Sequence, residues 1–152
     1  MAKDMLRMAV LYALLAIGIG IVMASQHDFT NKSLHAHANL VGWVSMALMG
    51  VIYQVFPAMA HSVLARVHFW LHNLGLPVML LGIYAVMHQW PAAEPIVGTG
   101  SMVVALGFVA FALNAWLNAG QQVKLADAQD DRARAAQHAA GVSRPAAASA
   151  TV

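Results

Sequence analysis

An all-α integral membrane protein built on four transmembrane helices is the fold class this sequence predicts, and three observations carry it. Hydrophobic residues make up 61% of the 152-residue chain and charged residues only 9%, against a charged share of ~25% in typical soluble domains. Four apolar stretches, Met5–Ser25, Leu34–Pro57, Val67–His88 and Ile96–Asn118, each come close to the ~20 residues that cross a bilayer as a helix. Apart from Arg7 at the edge of the first, none contains Asp, Glu, Lys or Arg. The stretches read as one four-helix domain over residues 1–120, followed by an Ala-rich cytoplasmic tail over 121–152. Cysteine is absent, which excludes disulfides and thiolate metal sites.

The first stretch follows Lys3 and Arg7 and so resembles a signal peptide, but its apolar run is too long for one. Gln26-His27-Asp28-Phe29 is also no small-x-small cleavage site, so this stretch reads as a retained helix. The second stretch opens on His35-Ala36-His37. The third carries Pro77, which predicts a kink that frees the carbonyl of Asn73. Short connections predict antiparallel neighbours, and glycines such as Gly42, Gly75, Gly82 and Gly100 predict close helix approach in lipid. Beyond Gly120, Val123–Ala140 reads as a short surface helix and Gly141–Val152 as disordered.

Cation placement predicts orientation. With the N-terminus inside, the inner segments hold Lys3, Arg7, Arg66, Lys124, Arg132, Arg134 and Arg144, while the outer connections hold only Lys32. Both termini are then cytoplasmic, with Gln26–Ser33 and Gln89–Pro95 external, in a bacterial inner membrane. The few basic residues form no patch for nucleic acid.

The eight histidines carry the chemistry, because ionisable groups in a bilayer default to function. His35 and His37 sit ~200° apart around a helix, so they cannot easily grip one ion together. Each can point into its own pocket, which suits the axial position of a planar cofactor, above all haem. The competing reading is two interfacial histidines bonded to loop carbonyls. Depth places His27, His35, His37 and His88 in an outer group with Trp90, and His61, His68 and His72 in an inner one. His68 and His72 share a face at i,i+4 spacing. For that pair, hydrogen bonding to backbone or Asn73, or a proton relay near the cytoplasmic mouth, is expected ahead of a metal.

The run His35-Ala-His37-Ala-Asn-Leu-Val-Gly-Trp, then Tyr53-Gln-Val-Phe56-Pro57 and His68-Phe69-Trp70, resembles the haem–copper oxidase superfamily. It is similar to the tenth and eleventh helices of the twelve-helix catalytic subunit, and the whole chain to that subunit's last four helices. The resemblance implies that His35 and His37 are axial ligands of haem iron, and that His68-Phe69-Trp70 is structural. Lys32, His88 and Trp90 are the residues left to meet the haem propionates, because the family's paired arginines are missing. The family's copper-ligating helices and its catalytic tyrosine are also missing, so copper and oxygen reduction are not expected.

The expectation is a protein binding haem b, held without covalent attachment, that transfers electrons or binds a diatomic gas. A respiratory electron donor would be its partner. A homotrimer with haem at the subunit interfaces would restore the helix count of the oxidase subunit. The competing expectations are a cofactor-free assembly subunit of a respiratory complex, and a transition-metal-binding membrane protein built on the outer histidines.

Overall fold

The computed structural model describes residues 1–142, and every element among them is helical. Helix α1 is Ala2–Gln26. The second apolar stretch is divided into α2 (Lys32–His37), a π-helical segment (Ala38–Val44) and α3 (Ser45–Val55). A single turn, α4 (Pro57–Ala60), leads to α5 (Val63–Met87) and then α6 (Ala93–Val142). Four runs, Ala2–Gln26, Lys32–Val55, Val63–Met87 and Ala93–Gly120, are long and apolar enough to span a membrane. The fold is that of a multi-pass helical membrane protein. One end, here called proximal, carries the N-terminus and the turn at His61-Ser62, and the distal end carries the connections at 27–31 and 88–92.

Helix α1 shows why such a surface needs lipid. Its buried residues, Met5, Ala9, Tyr12, Ala16 and Met23, fall on one stripe at roughly helical spacing. Leu11, Leu14, Ile17 and Ile21 on the remaining surface are all more than half exposed. A helix in water would be polar there, so acyl chains are the fitting cover.

Helix α1 packs along the second stretch and α5 along α6, and the two pairs meet through the second stretch with α5 and through α4 with α6. No extensive contact joins α1 to α6 among the described residues. The second and third spans are also more buried (33% and 44%) than the first and fourth (28% and 22%). The spans thus form an open row with α1 and α6 at its ends.

Packing between α5 and α6 depends on missing side chains. A Cβ on Gly82 would meet the backbone of Val97, and one on Gly100 the backbone of Met79. One on Gly75 would lie 2.9 Å from the Val104 nitrogen. Association in lipid gains little from hydrophobicity, so such close van der Waals approach is what holds the pair together. Pro77 is accommodated within α5, which runs from Val63 to Met87 without interruption.

The second stretch departs from the single helix the sequence predicts. It breaks at Phe56 (φ −116°, ψ 77°), because the residue before a proline is excluded from helical geometry. It also widens into the π segment, where a Cβ on Gly42 would lie 2.7 Å from the Tyr12 ring. Polar side chains bond to carbonyls along this region. The Asn39 amide donates to the His35 carbonyl (3.0 Å), the Ser45 hydroxyl to Leu40 (2.7 Å) and the His72 ring to Val41 (3.1 Å). In hydrocarbon such groups must be satisfied internally, and these bonds do so.

Helix α6 continues through Gly120 to Val142 rather than ending before a separate surface helix. The Ala-, Gln- and Arg-rich sequence after Gly120 has high helix propensity, and one glycine costs only ~1 kcal/mol. Residues 127–138 are exposed along it. The segment expected to be disordered, Gly141–Val152, lies outside the described residues from position 143 onward.

Candidate functional site

His35 and His37 lie towards the distal end and His68 packs on Tyr53 towards the proximal end, while His72, bonded to Val41 of the π segment, lies between the two levels. At the distal end His35 turns towards α1, where its Nδ1 lies 2.9 Å from the Ala16 carbonyl. A carbonyl can only accept, so Nδ1 carries the hydrogen and Nε2 holds the lone pair. The Asn39 amide donates to that Nε2 at 3.2 Å. Gly20 makes room for the ring, since a Cβ there would lie 3.0 Å from His35 Cε1.

His37 repeats the tautomer by a local route. Its Nδ1 donates to the Ser33 carbonyl one turn back at 2.8 Å, which again leaves Nε2 as the lone pair. His37 is half-buried. A ring held by one nitrogen through a main-chain carbonyl is the usual arrangement of a histidine that offers the other nitrogen to a metal.

The other distal candidates are exposed. Lys32 opens α2, and His27 caps α1 in the left-handed conformation (φ 52°). His88 stacks near Tyr84 (4.2 Å between ring centres), which also meets Trp90 edge-on at 5.6 Å. In the connection before α2, the Thr30 hydroxyl (2.6 Å) and amide (2.9 Å) both donate to the Asp28 carboxylate. These bonds hold the Asp28 carboxyl below the ordinary carboxylate range, and His88 adds a smaller electrostatic pull in the same direction. Among the described residues no three His, Asp or Glu side chains come together as a metal cage.

The proximal group is deeper than the sequence indicates. His68 and His72 are fully buried, with ring centres 5.5 Å apart and planes at 84°. Tyr53 is 1% exposed, and its hydroxyl lies 2.9 Å from His68 Nδ1. His72 bonds to backbone, as expected, but His68 bonds to Tyr53, while the Asn73 amide donates to Phe69 instead (2.7 Å). Phe111 and Phe108 wall the two histidines from α6.

Asn114, fully buried on α6, is the residue that sequence reasoning missed. Its amide nitrogen donates to the Met59 carbonyl (3.1 Å) and the Tyr53 hydroxyl (3.4 Å). Its oxygen accepts from Ser62 (2.8 Å) and Asn118 (2.8 Å). Asn114 and Asn118, four apart in an otherwise apolar span, were the available signal. Ser62 also caps α5 by accepting from the Ala65 amide at 3.0 Å.

The described residues thus form a helical multi-pass membrane protein, with His35 and His37 towards its distal end and a buried Tyr53–His68–His72 cluster running from the proximal side to the π segment. Comparison with models of known protein families, with curated proteins and with solved structures finds no match to this chain.

Proposed function

We propose that this protein binds haem b at the distal end and serves electron transfer or diatomic gas binding in a bacterial inner membrane, with both termini cytoplasmic. The observation that carries the reading is His37: its Nδ1 is committed to the Ser33 carbonyl, and its Nε2 is left with the lone pair that iron requires. Bound haem would supply a redox-active or gas-binding iron, while the chain supplies the ligand and its orientation. His35 has the same tautomer, but the Asn39 amide covers its Nε2. Ligation through His35 therefore requires Asn39 to turn away, and His37 is the ligand that fits as it stands. Lys32, His88 and Trp90 are exposed at the same end and remain the candidates for the propionates.

The open row supports assembly. Unpaired outer faces on α1 and α6 suit heterologous contacts between like-oriented copies, and such contacts form a ring when the rotation between copies closes. A homotrimer with haem at its interfaces is the arrangement proposed. The test is a visible spectrum of protein expressed with ample haem, reduced and then exposed to carbon monoxide. A Soret band that is lost in His37→Ala and kept in His68→Ala supports the reading. No Soret band overturns it and favours a cofactor-free assembly subunit. Native mass spectrometry should find three chains, with haem lost on dissociation, and a haem-loaded monomer would remove the trimer.

A further inference from the structure

The direction of each hydrogen bond in the proximal cluster can be worked out from its ends. The Met59 carbonyl accepts, which fixes the Asn114 nitrogen as the donor there, and the same nitrogen donates to the Tyr53 hydroxyl. The Tyr53 hydrogen then goes to His68 Nδ1. His68 therefore carries its own hydrogen on Nε2. At the far end the Val41 carbonyl accepts from His72 Nε2, so His72 Nδ1 is a lone pair. His68 Nε2 and His72 Nδ1 are both buried without a hydrogen-bond partner. One is a donor and the other an acceptor, on neighbouring turns of one helix, in rings 5.5 Å apart.

Two orphaned groups of opposite sense in an apolar wall are costly, and one molecule satisfies both. A water making two hydrogen bonds of ~2.9 Å links atoms ~5 Å apart, a span of the same order as the 5.5 Å between the two ring centres. Tyr53, at the near end of the chain, also lines a pocket of about 430 Å³ at the proximal end, with Lys3, Asp4, Arg7 and His61 around it. Those groups bring charged and titratable side chains to the pocket, the nearest proton-exchanging groups to Tyr53 on that side.

We propose that one water molecule binds between His68 Nε2 and His72 Nδ1, and that Tyr53, His68, this water and His72 form a proton relay from the proximal pocket to the π segment. A proton arriving on the Tyr53 oxygen releases the tyrosine's own proton to His68 Nδ1. His68 Nε2 passes its proton to the water, and the water passes one to His72 Nδ1. Each oxygen returns to its starting count, no electron moves, and one proton passes from the pocket to His72; His68 is left with its hydrogen on Nδ1, so the ring must return to its Nε2–H form before a second proton can follow. The relay is independent of the haem reading, since it uses no distal residue.

The test is nitrogen-15 NMR of histidine-labelled full-length protein in lipid bilayers. Both rings should be neutral, with the hydrogen on Nε2, and magnetisation from water should reach His68 Nε2 and His72 Nδ1 in the unsubstituted protein. Tyr53→Phe keeps the ring packed on His68 and Phe111 but removes the hydroxyl, so deuterium exchange at His68 Nε2 should slow about tenfold. The absence of a water contact at both nitrogens overturns the proposal. So does unchanged exchange in Tyr53→Phe, or stoichiometric zinc or copper that is held by these two rings and lost in His68→Phe.

Discussion

Removing the Asn114 side chain is the sharpest perturbation of the packing described above. Its amide joins α6 to the α4 turn (3.1 Å), to Tyr53 of α3 (3.4 Å) and to Ser62 at the start of α5 (2.8 Å), and it accepts a fourth bond from Asn118 within α6 (2.8 Å). At ~0.6 kcal/mol for each such bond in a membrane protein, Asn114→Ala should cost ~2 kcal/mol, before any loss of packing. The lost partners would be the Met59 carbonyl, the Tyr53 and Ser62 hydroxyls and the Asn118 amide. Ser62→Ala provides the internal scale. It deletes one bond to Asn114 (~0.6 kcal/mol) and the α5 cap (~1 kcal/mol), an expected loss of ~1.5 kcal/mol. Reversible unfolding in bicelles, measured for both variants in the same lipid, reads the difference directly. A loss below ~0.5 kcal/mol for Asn114→Ala, or one smaller than that of Ser62→Ala, would refute the view that this amide ties the elements together.

Four further outcomes are expected. Gly100→Val should destabilise the α5–α6 pair by ~3 kcal/mol, because its Cβ meets Met79 backbone that cannot rotate aside. Gly98→Val, with nothing within 4 Å of its Cβ, should be near neutral in the same unfolding assay. Gly42→Ala should push its methyl into the Tyr12 ring and weaken packing of the π segment on α1, read as faster amide exchange over Ala38–Val44. Asp28 should titrate below the ordinary carboxylate midpoint by NMR, and Thr30→Val should raise that midpoint by deleting the hydroxyl donor. Because the folded carboxyl is the stronger acid, the stabilisation is present above the unfolded value of 3.8 and disappears as pH falls through the lowered midpoint.

Apolar run length was enough to place the four spans to within a few residues, because a bilayer imposes one length on every crossing helix. The division of the histidines by depth followed from the same arithmetic; the contacts of His35 and His68 lie towards different ends, whereas His72 reaches Val41 near the middle of the second stretch. The π segment was not legible. Nothing in Ala38-Asn39-Leu40-Val41-Gly42-Trp43-Val44 distinguishes a widened turn from a regular one, and its bonds to Asn39, Ser45 and His72 become visible only in three dimensions. The partner of His68 was not legible either, since Tyr53 is 15 residues away on another element.

The sequence by itself determined that this chain is helical, with four helices long and apolar enough to cross a membrane. These are one-dimensional properties, set by residue polarity counted along a helix of fixed rise. Only the tertiary structure decided that the four spans stand in an open row, that His35 is enclosed against α1 while His37 keeps a free nitrogen, and that Asn114 joins three elements. Those outcomes depend on which glycines let two backbones touch and on where a carbonyl from one helix meets a ring from another. A single chain of residue types carries that information only through its packing.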